Sequence, residues 1–337
     1  RIFWFQGEGW NIAGDYDIYI KSRARSFASN QLINAGLLSR YTMKKILQQA
    51  FDFLLFSNVF MALCAVAQGL VTFYLMGAKP VPAVTWLLFT STIGIYNFSI
   101  LLTRPKNPEQ SQYRRVRWFF SHYRLMVTFT IVSLLSLIPL FFLMSTESRI
   151  LLMFLGIISF AYSLPLFSLG DQKFGLRNIP GLKQFLITLV WTMSTVLLPV
   201  LEAQHFHLAP ISMRDTTILI AKRFLLIAAL TVPFDIRDLF EDQQSGLKTI
   251  PVAFGEKKAY LFCQVLLAGY VVLLFLFRDN GFNADFFALT ITVVLAGWLI
   301  FKSTWEKNEY YYFFFLDGVL ILQYLMLLLF HWLSGLL

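Results

Sequence analysis

The sequence predicts an all-α, polytopic membrane protein of about nine transmembrane helices, and three observations carry that expectation. Hydrophobic residues make up 57% of the 337 and charged residues only 14%, against roughly 25% charged in a soluble domain. The 28 Lys and Arg and the 19 Asp and Glu collect in short clusters between long apolar runs, as they do where the solvent is lipid. Those runs also lack the wide polar face that a soluble helix bundle would need. An ordinary soluble enzyme is thereby excluded. The net charge of +9 is read as orientation in a membrane, because no basic patch interleaved with aromatic residues stands apart from the spans. Nucleic acid is not an expected partner.

A hydrocarbon core about 30 Å thick takes roughly 20 apolar residues per helix. The first run, Phe51 to Met76, follows the basic leader Met43-Lys44-Lys45. The second, Pro82 to Leu102, leads into a loop carrying Arg104, Lys106, Arg114, Arg115 and Arg117. The third and fourth, Trp118 to Met144 and Arg149 to Leu169, precede a loop with Lys173, Arg177 and Lys183. The fifth and sixth, Leu182 to Leu201 and Thr217 to Phe234, precede Arg237, Lys248, Lys257 and Lys258. The seventh, Ala259 to Phe277, follows Gly255-Glu256-Lys257-Lys258. The eighth, Ala284 to Phe301, follows Arg278-Asp279-Asn280, and Ser303 to Glu309 separates it from the ninth, Tyr310 to Leu333.

Loops on the other side carry far fewer cations: Lys79, Arg149, Arg214 and Arg278, with Lys222 and Arg223 unassigned near the start of the sixth run. The positive-inside rule therefore makes the N-terminus and the loops after the even-numbered spans cytoplasmic, in a multi-pass protein of the cell (inner) membrane. Residues 1–42 lack steady periodicity and read as an N-terminal extension, either not native to the chain or a cytoplasmic segment, and 43–337 read as one transmembrane domain. Cys64 and Cys263 fall inside apolar runs, as small hydrophobes do. His205 and His207 form a loop pair with no obvious further metal ligands nearby.

The sixth run continues directly into Asp235-Ile236-Arg237-Asp238-Leu239-Phe240-Glu241-Asp242. On a helix, positions i, i+3 and i+7 fall at about 0°, 300° and 340°, so Asp235, Asp238 and Asp242 share one face. Three such carboxylates repel one another unless a cation neutralises them, and hard oxygen ligands suit Mg²⁺, which commonly binds carboxylates together with substrate phosphates. A diphosphate is the natural substrate. An acidic run at a membrane exit is commonly just a solvated helix end, but Gln243-Gln244-Ser245-Gly246-Leu247-Lys248-Thr249-Ile250-Pro251 adds a polar turn, a cation and a return to the next span.

The whole string, DIRDLFEDQQSGLKTIPVAFG, resembles the second aspartate-rich motif of the UbiA superfamily of intramembrane prenyltransferases. Ala161-Tyr162-Ser163-Leu164-Pro165, followed by Arg177 and Lys183, is similar to that family's Tyr-Ser-x-Pro segment and basic loop. The resemblance covers the chain from about Met43. It implies a nine-helix UbiA-like bundle that uses Mg²⁺ to move a prenyl group from an isoprenyl diphosphate to a lipophilic, often aromatic, acceptor. It also implies that Asp235, Asp238 and Asp242 act as catalytic and metal-binding residues, and Asn97, Tyr162, Arg177, Arg237 and Lys248 as substrate contacts.

The family's first acidic motif, approximately NDxxDxxxD, is degenerate here. Its counterpart reads Tyr96-Asn97-Phe98-Ser99-Ile100-Leu101-Leu102-Thr103-Arg104-Pro105, with Phe98, Leu101 and Pro105 where carboxylates belong. Three readings follow. Either Arg104 or Lys106 contacts the diphosphate in place of the lost metal, since a guanidinium matches phosphate oxygens, or the protein is a catalytically impaired member of the fold that binds a prenyl lipid or a membrane partner, or the register is shifted and Glu109 contributes from the loop.

Overall fold

The computed structural model describes residues 43–335 apart from 165, 166, 170, 171, 175, 177, 178, 180, 245 and 280. The expected extension over 1–42 and the expected substrate contact Arg177 lie outside the described residues. The chain divides into the units Arg1–Phe53 and Leu54–Leu337. In the first, residues 43–53 are described and are helical. The second holds the helical bundle.

The expected first span is interrupted at Ser57-Asn58, where Asn58 takes a left-handed φ of 67°, a conformation asparagine tolerates better than most residues. Helix α1 then runs Val59–Met76 and α2 Pro82–Leu102. The third expected span splits at His122 into a short basic helix, α3 (Arg114–Ser121), and the apolar α4 (Tyr123–Phe142). Helix α5 (Thr146–Ser163) is N-capped by the Ser145 hydroxyl, which accepts from the Ser148 N–H. It stops short of Leu169 because Leu164 is extended (φ −87°, ψ 140°), as residues preceding proline are. Strands β1 (Phe167–Leu169) and β2 (Gln172–Phe174) pair there as a small antiparallel hairpin. The remaining helices are α6 (Leu182–His205), with a π turn over Met193–Leu197, α7 (Met213–Arg237), α8 (Leu239–Gln244), α9 (Ile250–Phe254), α10 (Glu256–Phe275), α11 (Ala284–Lys302) and α12 (Tyr311–Ser334).

Eight of these helices, α1, α2, α4, α6, α7, α10, α11 and α12, are long and apolar enough to cross a membrane. Helix α5 falls outside that set: Glu147 and Arg149 at its start and Ser159, Tyr162 and Ser163 at its end dilute a short apolar centre. The nine expected spans thus correspond to eight by length and composition. The chain is an integral membrane protein.

Within the bundle, contacts run in a circuit from α1 through α2, α4, α5, α6, α7, α10, α11 and α12 back to α1. Two-thirds of α1 (67% of its apolar window) is buried against 17% for α4, so α1 is the inner helix. Leu135, Ile138, Ile157, Val265, Val294 and Trp298 point outward and stay exposed, the surface a bilayer requires. Lipid tails are as apolar as leucine, so close backbone approach and interhelical hydrogen bonds hold such helices together. At the α2–α4 contact, a Cβ on Gly94 would lie 2.8 Å from Leu134 Cδ2. Lys222 and Arg223 prove to be internal to α7 and buried. Arg223 Nη1 donates to the Gln68 carbonyl at 3.0 Å and to Thr195 Oγ1 at 2.8 Å, which ties α7 to α1 and to the π turn of α6.

Candidate active site

The acidic sequence lies where α7 leaves the bundle. The helix ends at Arg237, Asp238 forms its C-cap (φ −91°, ψ 12°) and α8 resumes at Leu239. The Asp242 N–H still reaches the Asp238 carbonyl at 2.9 Å, so the expected helical progression is bent at its middle carboxylate rather than lost.

Each carboxylate has its own surroundings. Asp235 is 1% exposed; Lys183 Nζ donates to its Oδ1 at 2.9 Å, and Gln184 Nε2 donates to Oδ2. Asp238 accepts two bonds from Arg237, Nε at 2.7 Å and Nη2 at 2.9 Å, and a third from the Tyr113 hydroxyl at 3.2 Å. Burial, with the nearby Asp238 and Glu241 carboxylates, holds the Tyr113 phenol well above its ordinary range. Asp242 is buried, and its Oδ2 has no hydrogen-bond partner. Burial pushes its pKa up to about 6; Lys183 opposes the rise and the charges of Asp235 and Asp238 add to it.

Among the described residues, no three acidic, histidine or cysteine side chains stand together as a ready metal site, and Lys183 and Arg237 pair with Asp235 and Asp238. The donors still suit Mg²⁺ chemically. All are hard oxygens, the three charges act on one another, and a buried oxygen of Asp242 is left without a partner.

The degenerate first motif lies alongside. Asn97 is buried and accepts from Asn58 Nδ2 at 2.6 Å, and Arg115 Nη2 donates to Asn58 Oδ1. Phe98 packs edge-on against Phe160, with ring centres 5.5 Å apart. The Arg115 guanidinium lies 4.8 Å from the centre of the Phe313 ring, and its Nε is buried without a partner. Burial lowers its pKa to about 10; Arg237 reinforces this and Glu309 opposes it, so the group is cationic at neutral pH. Arg237 lies 5.4 to 5.6 Å from the rings of Tyr113, Phe234, Tyr312 and Phe313. Its Nη1 is also buried and unpartnered.

A cavity of about 270 Å³ opens between α2, α5 and α6, lined by residues that include Tyr96, Ser99, Arg115, Tyr162, Leu186 and Trp191. A second, of about 210 Å³, shares Ile95, Tyr96, Ser159, Val190 and Trp191 with it. Leu186 and Ile187, which line the first cavity, follow Lys183 and Gln184 by about one turn of α6. The structure thus brings Asn97, Tyr162 and Arg237 to the site. It does not bring Arg104, which is exposed and lies 5.4 Å from the ring centres of Phe120 and Tyr123, nor Lys248, which is exposed on the turn after α8. Sequence reasoning missed Asn58, Tyr113 and Gln184, and treated Arg115 only as one of a topological cluster. Nothing in the local sequence distinguishes Arg115 from Arg114 or Arg117.

Comparison with known proteins agrees with the helical fold. No curated protein matches the sequence. Among solved structures, a UbiA homologue from Archaeoglobus fulgidus bound to GPP and Mg²⁺ superposes with a TM-score of 0.58 at 12% identity, covering 83% of this chain and 99% of that one. The same homologue bound to DMAPP and Mg²⁺ gives 0.57 at 14% identity, over 85% and 100%. The apo UbiA homologue from Aeropyrum pernix K1 gives 0.59 at 11% identity, over 82% and 98%. Likeness at such identities concerns the fold. A sequence profile described as the UbiA prenyltransferase family matches residues 121–319, more than half of the protein, and on that match the chain belongs to the UbiA prenyltransferase family.

Proposed function

We propose that this protein transfers a prenyl group from an isoprenyl diphosphate to a lipophilic, often aromatic, acceptor within the membrane, with Mg²⁺ held by Asp235, Asp238 and Asp242. One observation carries this reading: Lys183 and Gln184, which bond Asp235, stand about one turn of α6 from Leu186 and Ile187, which line a largely apolar cavity, a polar head site near a tail site. The A. fulgidus homologue solved with GPP or DMAPP and Mg²⁺ supports a prenyl diphosphate as the substrate. Bound Mg²⁺ supplies charge neutralisation for the diphosphate leaving group. Lys183, Gln184 and Arg237 position Asp235 and Asp238. Tyr96, Tyr162 and Trp191 line the cavity, where aromatic side chains exclude water and can favour a developing allylic cation. Arg114, Arg237 and Lys307 line one further cavity at this end, which supports a cytoplasmic site in the cell (inner) membrane.

A second reading, a non-catalytic protein that binds a prenyl lipid or a membrane partner, is favoured by Phe98, whose packing on Phe160 replaces a carboxylate of the first motif. Purified protein in nanodiscs separates the two. The catalytic reading expects Mg²⁺-dependent diphosphate release from an allylic prenyl diphosphate in the presence of an acceptor, lost in Asp235→Ala and Asp238→Ala. Tight binding without turnover across a broad panel of chain lengths and acceptors would establish the second reading instead.

A further inference from the structure

We propose that Arg115, with Arg237 beside it, binds the substrate diphosphate directly and takes the place of the cation that an intact first acidic motif would hold. This rests on the reading of a prenyl diphosphate as substrate. The first argument is position. Arg115 reaches Asn97, the one residue of the first motif that survives, through Asn58, while Phe98 is turned into packing with Phe160. The second is unused bonding capacity. Among the described residues, Arg115 Nε and Arg237 Nη1 are both buried N–H groups without partners, and a buried donor left unpaired costs free energy that an incoming anion recovers.

The third argument is charge. Both guanidinium groups lie against the Phe313 ring, and Arg237 weakens the protonation of Arg115. Two cations so placed are relieved by an anion between or beside them. The acidic groups around Arg115 are Glu309, which accepts from its backbone N–H at 3.1 Å, and Asp317 of α12; neither bonds to Nε. The fourth is shape. Arg115 lines the cavity whose other walls are largely apolar, so a ligand with an anionic head and a hydrocarbon tail satisfies both. A guanidinium offers diphosphate the paired N–H geometry that an ammonium lacks.

The test measures binding of geranyl diphosphate and of geraniol to the full chain in nanodiscs, in EDTA and in Mg²⁺. In EDTA the wild type should bind geranyl diphosphate more tightly than geraniol. Arg115→Met should weaken geranyl diphosphate about 10- to 100-fold, the range for hydrogen bonds to charged groups, and leave geraniol unchanged. Arg115→Lys, which keeps the charge and is the less disruptive change, should fall between the two, and Arg104→Met should match wild type. Geranyl diphosphate affinity in EDTA within twofold of wild type for Arg115→Met, or wild-type binding only in Mg²⁺, overturns the inference and leaves the substrate reading standing. Failure of the wild type to bind geranyl diphosphate under either condition overturns the substrate reading itself.

Discussion

In the acidic cluster, Lys183 and Arg237 pair with Asp235 and Asp238, whereas Oδ2 of Asp242 has no hydrogen-bond partner among the described residues. Asp242 is the sensitive member. Its pKa of about 6 stands above the ordinary 3.8, so the folded protein favours its neutral form. The stability this provides is fully present below about pH 4 and is lost as pH rises through 6. Thermal melts of the metal-free protein should show that decline, and Asp242→Asn should flatten it. Mg²⁺ binding should run the other way, because the proton competes with the metal: calorimetric titration should find affinity rising up to about pH 6 and levelling above it. An unchanged pH profile in Asp242→Asn would contradict both expectations. At Asp235, substitution by Ala leaves the Lys183 ammonium, 27% exposed, without its carboxylate. Stability should fall by about 2 kcal/mol, at the lower end for a broken, partly buried pair. Adding Lys183→Met should recover much of the loss in thermal-shift measurements, whereas an additive further loss would mean that the pair does not couple.

Among the elements, the local physics of helix ends decides where the long apolar runs are cut. Leu164 before Pro165 ends α5, and left-handed Asn58 separates α1 from the helical residues before it. The basic Arg114-Arg115-Val116-Arg117 stretch forms the separate helix α3, not part of a span. These breaks are visible in hindsight as proline and charge, but an apolar window averages over them. The contact between α2 and α4 depends on Gly94, since Leu134 Cδ2 already lies 2.8 Å from where a Cβ would stand. Gly94→Leu should therefore destabilise the protein by about 1–3 kcal/mol through overpacking. Leu134→Ala in that background should restore part of it, a coupling that a double-mutant cycle reads directly.

At the scale of the helical bundle, residues at or after the C-terminal ends of α2, α7 and α11 meet around one cavity, among them Arg114, Arg237, Glu241 and Lys307. Cys64 and Cys263 are buried and free, so introduced cysteines can report topology. Arg104→Cys and Lys248→Cys should react with an impermeant thiol reagent only from the cytoplasmic side, and Lys79→Cys only from the opposite side. Labelling of all three from one side would refute the assigned orientation.

Composition and charge clustering by themselves determined that lipid is the solvent and that the chain is a helical bundle. The reason is that a bilayer leaves the backbone no partners but its own, so a long apolar run has to be a helix wherever it packs. Tertiary structure alone decided the partners of the site. Asn58 meets Asn97 across 39 residues and Tyr113 meets Asp238 across 125, and no local pattern encodes such pairs. It also left Arg104 exposed and set Arg115, one of three arginines in a four-residue stretch, against the cavity.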